Sequence, residues 1–439
     1  MIFARRSIQR FIDQLCLVLP REPLAALVRR LNLNDQGSLD IEWEVAVLYA
    51  LQRVGEITYE ASHGGRTHPD VTFHFAGGKE IAFVADVATV SDRGLEDDNP
   101  TELLSELLHK KAAAMGLSGG FQCHIAGAAL GNRYSDRKMK LAMPTRKQLP
   151  AFVENFLTPW LKKIKRSGAT PFRHDSYGIT ITYHEGATTS GGGHLSYTVA
   201  YSLTRNPIFT SLKSKAHMLR DSGFRGCRGI ILCDGNCDLL KSRMTGAENY
   251  SDQQIISSFL RRNSSVSFVV TLWVEPEGNI FDRPIKRRLR VKLFRSPWAR
   301  SPLSEESAEV LNQIPRLLPV PVEDALNASH RIGEGSYGIG KSHFGGSKVS
   351  IGRNSASIRI SARALLELLA GRHDPKDFAE RHDFAGPQAR GRHNPFDTAL
   401  SNGLTLESAT VEREADGDDD WITLKLSGPD PAISPFRIT

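Results

Sequence analysis

Two carboxylates lie in strand-like surroundings near residue 80. Asp70 precedes the alternating run 71–75, and Asp86 interrupts the otherwise apolar run 81–88. An ionised carboxylate in an apolar strand is costly unless a partner compensates its charge. Two carboxylates that converge on one sheet face repel each other unless a cation lies between them, and hard oxygen ligands suit Mg²⁺ or Mn²⁺. The pattern therefore predicts a metal site at Asp70 and Asp86.

The register of the two runs decides whether these carboxylates can meet. Gly77 and Gly78 join the runs and favour a β-hairpin. A three-residue loop, Gly77 to Lys79, is a common type and would set Asp70 directly opposite Asp86. A two-residue loop would put the carboxylates on opposite faces. The predicted metal site therefore requires the register that the three-residue loop sets.

A helix is predicted immediately before the hairpin, over residues 38–55. Ser38 and Asp40 are candidate N-caps, and Gly55 is a stop signal. Glu44 lies at helical spacing from Leu48 and Leu51, on the edge of the apolar stripe. On this pattern alone Glu44 is either a solvated carboxylate or a third acid for the site.

An acid on a helix, followed by Pro69-Asp70 and a strand acid 16 positions later, resembles the PD-(D/E)XK nuclease superfamily. The resemblance covers residues 40–90 well and 205–235 moderately. It implies an α/β fold with a restriction-endonuclease-like mixed-sheet core and helices on both faces. The helix and strand patterns of the C-terminal residues separately predict a small α/β unit there. The resemblance also implies a metal-dependent endonuclease, with DNA favoured over RNA. Asp70, Asp86 and the Val87 carbonyl would bind Mg²⁺ or Mn²⁺, and Glu44 would support them.

One position departs from that family's pattern. The pattern expects a lysine two residues after Asp86, where this chain has Ala88. Lys111 and Lys215 each lie on an apolar helix face and are candidates to replace it; both could instead extend to solvent. We favour Lys215, because it shares a face with Leu212, Ala216 and Leu219 and its helix leads into the buried run 229–233. The alternative is a non-catalytic nucleic-acid-binding subunit on a decayed nuclease core.

The most basic segment of the chain lies between residues 280 and 300. If it forms a strand, its cations alternate with apolar residues. The interpretations are a solvated strand face or a surface that contacts the phosphates of a nucleic-acid backbone. The candidate nucleic-acid-binding residues are Lys286, Arg287, Arg288, Arg290, Lys292 and Arg295.

A glycine-rich segment near residue 340 offers a second candidate motif. Residues 335–342, GSYGIGKS, satisfy the pattern of a phosphate-binding P-loop. A polar segment precedes them and a Gly-Gly pair follows, so neither the buried strand nor the helix that a P-loop requires is predicted. We expect a flexible glycine loop here. Nucleotide-dependent activity is the third functional hypothesis.

The whole chain sets the remaining expectations. It has 439 residues, a net charge of +7 and five cysteines, and no apolar run typical of a membrane span. An odd cysteine count argues against a disulfide framework and favours a cytoplasmic location. The family resemblance further suggests bacterial defence against phage or mobile elements, and a protein partner or a homodimer would be compatible with it. The predicted organisation is a helical segment 1–37, a core 38–275 with an insertion around 112–205, a basic strand 276–300, a connection 301–348 and a domain 349–439.

Overall fold

The fold was obtained as a computed structural model. It describes residues 1–33, 37–78, 80–117, 119–130, 138–167, 171–185, 187, 190–241, 249–277, 286–326, 328, 348–352, 354–372, 374–375, 378–379, 382, 384, 394–414 and 419–428. The P-loop-like segment 335–342 lies outside these residues.

Helices and strands alternate along much of the chain. The helices are α1 (Arg5–Leu15), α2 (Arg21–Asn32), α3 (Ser38–Gln52), α4 (Arg93–Asp98), α5 (Thr101–Ala114), α6 (Leu149–Phe152), α7 (Thr158–Ser167), α8 (Pro207–Asp221), α9 (Asp238–Lys241), α10 (Asp252–Arg262), α11 (Glu305–Leu317), α12 (Ala362–Leu369) and α13 (Pro395–Ser401). A π-helical turn, Val153–Leu157, joins α6 to α7. The strands are β1 (Gly55–Tyr59), β2 (Val71–Phe75), β3 (Ile81–Val90), β4 (Gly120–Ile125), β5 (Gly127–Leu130), β6 (Lys138–Leu141), β7 (Phe172–His174), β8 (Ile179–His184), β9 (Gly191–His194), β10 (Arg228–Asp234), β11 (Phe268–Glu277), β12 (Lys286–Arg295), β13 (Lys348–Ile351), β14 (Ser355–Ser361), β15 (Thr405–Glu412) and β16 (Trp421–Ser427).

A mixed six-stranded sheet carries the predicted hairpin. Its order is β1-β2-β3-β10-β11-β12. The β1–β2 and β2–β3 pairs are antiparallel, whereas β10 runs parallel to both β3 and β11. A strand between two parallel neighbours is covered on both faces, which explains the continuous apolar run at 229–233. The predicted α/β class is confirmed.

Helices α8 and α10 cover one face of this sheet. Leu212 and Leu219 of α8 and Phe259 of α10 share one buried cluster with Val84 of β3 and Ile230 of β10. Asn206 caps α8 by accepting the N–H of Phe209 at 2.8 Å, and Pro207 occupies the first helical position, where its missing N–H costs nothing. The helix that carries Lys215 is therefore packed against the strands of the hairpin.

The expected insertion folds around a sheet of its own. The order of its four strands is β7-β8-β4-β9. A separate buried cluster is formed by residues of these strands and of neighbouring helices, among them Leu104, Phe121, Phe152 and Ile181. In strand β9 three glycines pair with β4 in parallel orientation. A run without side chains carries no hydrophobic period that could reveal such a strand in the sequence.

The chain divides into two compact units. The first comprises Met1–Val54, Val274–Arg290 and Ile314–Thr439, and the second comprises Gly55–Trp273 and Val291–Gln313. Within the first unit, a four-stranded sheet of order β13-β14-β16-β15 has its own buried cluster with α12 and α13. The second unit holds Asp70, Asp86, Lys111 and Lys215.

The expected connection 301–348 contains a helix that the sequence analysis missed. Its Pro and Ser content suggested a linker, but Ser304 accepts the Ser307 N–H at 3.1 Å and so starts α11. Leu311 and Ile314 are fully buried on its inner face. Pro315 lies close to the helix end, where it interrupts little of the hydrogen-bond ladder. None of the described helices is long and apolar enough to cross a membrane, and the cysteines form no disulfide.

Close packing between β10 and β11 gives a stability prediction. Gly229 stands opposite Phe268, and a Cβ at Gly229 would overlap the Phe268 ring. Gly229→Ala is therefore expected to lower the free energy of unfolding by roughly 1–3 kcal/mol. Gly94, in α4, has open space around its Cα, so Gly94→Ala is the matched control and should be neutral or slightly stabilising. Equal urea midpoints for Gly229→Ala and the wild type would contradict this account of the packing.

Candidate functional site

The hairpin has the register that brings the two carboxylates together. Val71 pairs with Ala85 and Phe73 with Phe83, so Asp70 comes opposite Asp86, and this prediction is confirmed. The register shifts between Phe73 and His74, where a bulge changes the pairing nearer the turn. The Asp70 backbone N–H donates to Asp86 Oδ1 at 3.3 Å.

Asp70 connects the hairpin to helix α8. Its Oδ2 accepts the Val87 N–H at 2.7 Å and lies 3.3 Å from Lys215 Nζ. The side chains of Asp70 and Lys215 are 15% and 19% exposed. At this burial the ion pair is shielded from water, and losing either partner would leave a costly charge.

Asp86 is the most deeply buried group of the site. It is 1% exposed, and among the described residues its Oδ2 has no hydrogen-bond partner. Burial raises the pKa of Asp86 to about 7; the nearby negative charge of Asp70 adds to the rise, and Lys215 opposes it. A buried carboxylate oxygen without a donor is uncommon and is typical of a site that holds a ligand or proton.

Lys215 lies where the apolar face of its helix predicts. Leu212, Ala216 and Leu219 are buried, whereas Lys213 and His217 are exposed. The face with Lys215 packs on the strand that holds Ala88, which is itself part of the buried cluster. Ala88 is therefore covered by the same helix face that carries Lys215.

Hydrogen bonds from the loop between β1 and β2 connect the hairpin to the last turn of α8. The Arg66 N–H donates to the Asp221 carbonyl at 2.8 Å, and the Thr67 hydroxyl donates to the Met218 carbonyl. Both acceptors lie in the last turn of α8. Gly65 approaches that turn so closely that a Cβ would overlap backbone atoms of Asp221. The chain segment that leads into Asp70 thus holds the helix that carries Lys215.

His63 belongs to the surroundings of the site and was missed by the sequence analysis. Its Nε2 lies 2.9 Å from Thr72 Oγ1, and its ring centroid is 5.0 Å from that of Phe224. Burial, followed by the charges of His68 and His74, lowers the pKa of His63. A lone histidine in a polar loop carries no periodic signal, so the sequence offers no means of finding it.

Lys111 and Glu44 are the two remaining predicted catalytic residues. Lys111 on α5 forms an ion pair with Glu154, in the insertion, and is not among the groups that contact Asp70 or Asp86. Glu44 is buried in α3 at 9% exposure, so the interpretation as a solvated carboxylate is wrong. Because Glu44 belongs to the first compact unit, its supporting role stays a prediction.

The basic strand β12 has acidic partners for most of its cations. Five of the six predicted nucleic-acid-binding residues lie within 4 Å of a carboxylate: Arg287 of Glu323, Arg288 of Glu277, Arg290 of Glu275, Lys292 of Asp252 and Arg295 of Glu305. Lys286 is exposed, and no ion pair to a described residue involves it. A cation that already faces a carboxylate has less net charge to offer a phosphate. The strand is therefore a weaker phosphate-binding surface than its sequence suggests.

The donor set at the hairpin suits one kind of metal better than others. Among the described residues, no group of three or more His, Cys, Asp or Glu side chains is arranged to hold a metal ion. Such a group is what Zn²⁺ or a dedicated Ca²⁺ cage would need. Mg²⁺ is commonly held by one or two carboxylates, with water and substrate oxygens completing its shell. Asp70 and Asp86, with the Val87 carbonyl, fit that smaller requirement, and the unbonded Oδ2 of Asp86 leaves an acceptor for it.

Comparisons of the chain with family models, curated proteins and solved structures found no match.

The buried state of Asp86 gives a prediction about stability and pH. With a folded-state pKa of about 7 against an ordinary value of 3.8, the folded chain keeps a proton that the unfolded chain loses. Stability should therefore fall as the pH rises from about 4 to about 7 and level off above that range. Asp86→Asn removes this penalty, so at pH 8 the variant should be more stable than the wild type by up to about 4 kcal/mol.

Urea unfolding of both proteins between pH 4 and pH 9 checks this expectation. Asp175→Asn, in an exposed turn, removes the same formal charge and should change the free energy of unfolding by less than about 0.5 kcal/mol. A variant at Asp86 that is no more stable than the wild type at pH 8 would show that burial of the carboxylate carries no such penalty.

Proposed function

We propose that the protein is a metal-dependent phosphodiesterase that hydrolyses DNA, built on a restriction-endonuclease-like core. The proposal rests chiefly on one observation: a lysine amine from α8 lies 3.3 Å from Asp70, directly beside the buried carboxylate of Asp86. Two carboxylates and a lysine are the groups that the family resemblance requires. The strand position that normally supplies the lysine is Ala88, so the convergence of Lys215 supports the proposal independently of the linear motif.

The three side chains have distinct roles in this proposal. Asp70 and Asp86 would hold Mg²⁺ or Mn²⁺, with the Val87 carbonyl as a further oxygen ligand. A divalent cation bound there would polarise a phosphate oxygen and lower the pKa of a water molecule. Lys215 carries its positive charge in a largely buried position, where it would stabilise the negative charge that develops on the phosphate. Asp70 holds that amine in place through its Oδ2.

Cleavage of plasmid and linear DNA by the purified full-length chain tests the proposal. In Mg²⁺ or Mn²⁺ we expect cleavage that Asp70→Asn and Lys215→Gln each reduce by at least about 10²-fold, since each removes charge stabilisation at the reacting phosphate. Lys213→Gln is the matched control, because Lys213 lies two residues away on the exposed face of the same helix. Its cleavage rate should equal that of the wild type.

Two results would count against catalysis at this site. One is cleavage that Asp70→Asn leaves undiminished, and the other is loss of cleavage in Lys213→Gln to the same extent as in Lys215→Gln. Circular dichroism of each variant distinguishes a lost reaction from a lost fold.

The alternative is a non-catalytic nucleic-acid-binding protein on the same core. It is favoured by the ion pair between Lys215 and Asp70, which balances the charge of Asp70 without a metal. This alternative predicts DNA binding that survives Asp70→Asn and Asp86→Asn. It also predicts no DNA cleavage in the presence of Mg²⁺ or Mn²⁺ and no Mn²⁺ bound at the hairpin.

A further inference from the structure

Three arginines lie at the other end of the helix that carries Lys215. Arg220 is in the last turn of α8, Arg228 begins β10, and Arg300 follows β12. All three belong to the second compact unit. Arg228 Nη1 donates to the Leu219 carbonyl at 3.3 Å, which ties the start of β10 to the end of α8.

Two serines hold the segment that carries Arg300 against the start of β10 and the residues just before it. The Ser267 hydroxyl accepts the Arg228 N–H at 3.2 Å and lies 2.6 Å from the Ser301 carbonyl, to which it donates. The Ser301 hydroxyl donates to the Arg225 carbonyl at 3.1 Å, and the Arg300 N–H donates to the Ser264 carbonyl at 3.0 Å. Arg300 is therefore positioned by fixed backbone contacts.

Arg228 has cationic neighbours, and none of the described carboxylates forms an ion pair with it. Its Nε is buried and has no hydrogen-bond acceptor among the described residues. Burial, followed by the charges of Arg300 and Arg220, lowers the pKa of Arg228. No ion pair within the described part of the chain involves Arg228 or Arg300. Arg220 is 61% exposed, and its Nε lies 3.8 Å from Asp221.

Arg228 and Arg300 differ in this respect from the cations of β12. There, cations that look available in the sequence already face carboxylates, as Arg295 faces Glu305 at 2.7 Å. Like charges held together repel one another, and the repulsion persists unless an anion enters. Guanidinium groups are also the side chains best suited to phosphate oxygens.

The three arginines lie close to the candidate site. Arg228 pairs with Val84 and Ile230 pairs with Asp86 in the β3–β10 register. Two residues along a strand correspond to about 6.6 Å and to the same sheet face. A phosphate held by Arg228 would therefore belong to a nucleotide one or two units away from one that reacts near Asp86.

We propose that Arg220, Arg228 and Arg300 form a phosphate-binding site for the backbone of the nucleic-acid substrate. This inference rests on the proposed function for its substrate class, and it replaces β12 as the main surface that contacts the backbone. Contacts to phosphate give affinity without sequence specificity, so the site would position a duplex across the hairpin.

A structural role for these arginines is the competing explanation. Cations near the last turn of a helix stabilise its exposed carbonyls and its dipole, and Arg228 already donates to one such carbonyl. That role predicts lower thermal stability when an arginine is replaced, with unchanged affinity for DNA. Arg300 lies outside α8 and is exposed, so it separates the two explanations.

Binding of a fluorescent 20-base-pair DNA duplex in EDTA, over a range of NaCl concentrations, tests the inference without cleavage. Arg228→Gln and Arg300→Gln should each weaken binding by about 3- to 10-fold near 150 mM salt. Each should also reduce the slope of log affinity against log salt by about one. Arg228→Lys should recover part of the affinity because it keeps the charge. The control Arg295→Gln removes a cation that Glu305 already neutralises, and its affinity should stay within about 2-fold of the wild type.

The inference is overturned if Arg300→Gln binds like the wild type, if Arg295→Gln weakens binding as much as Arg300→Gln, or if the wild type does not bind the duplex. Its failure can be told apart from failure of the proposed function. DNA binding that depends on the arginines, without cleavage in Mg²⁺ or Mn²⁺, would support the phosphate-binding site and contradict the proposed hydrolase activity. Cleavage that depends on Asp70 but has the same KM in Arg300→Gln would support the hydrolase activity and contradict the phosphate-binding site.

Discussion

The burial of Asp86 opposite Asp70 is the constraint on which the rest of the second unit depends. A carboxylate that is 1% exposed must either keep a proton or find a cation. Lys215 forms an ion pair with Asp70 and so brings a positive charge close to Asp86. Burial nevertheless raises the pKa of Asp86 to about 7. The site is thus only partly compensated by its own side chains. Residual cost of this kind is typical of functional sites, where stability is lost for the sake of binding or catalysis.

Helix α8 places a lysine amine beside the hairpin, although the strand itself has Ala88. The inner face of this helix packs on β3 and β10 and covers Ala88. The same face carries Lys215 between Leu212 and Ala216, at the level of the hairpin carboxylates. The loop that contains Arg66 and Thr67 binds the last turn of this helix. One packing interface therefore covers Ala88 on the strand and positions Lys215 next to Asp70.

Local patterns in the sequence limited the choices for the hairpin and for the lysine but did not decide between them. The glycine pair left two registers, and helical spacing left Lys111 and Lys215 as candidates, with Lys215 favoured. The partners of β12 could not be predicted in this way. Glu323 and Asp252 are 36 and 40 residues from the cations that they neutralise, and no local period reports such a pairing. The glycine strand β9 and the burial of Glu44 likewise depend on tertiary packing.

The distribution of compensated charge is more informative than net charge. The chain carries +7 overall, and its densest run of cations, in β12, faces carboxylates of neighbouring segments. The arginines around the start of β10 are sparse in sequence, coming from positions 220, 228 and 300. The fold gathers them so that the charges of Arg300 and Arg220 act on Arg228, and no ion pair to a described carboxylate involves Arg228. An electrostatic surface for a polyanion requires an excess of charge in three dimensions. In the β3–β10 register Arg228 lies two residues from the position opposite Asp86, so Arg228 and the buried carboxylate share a sheet face, as the proposed function would require.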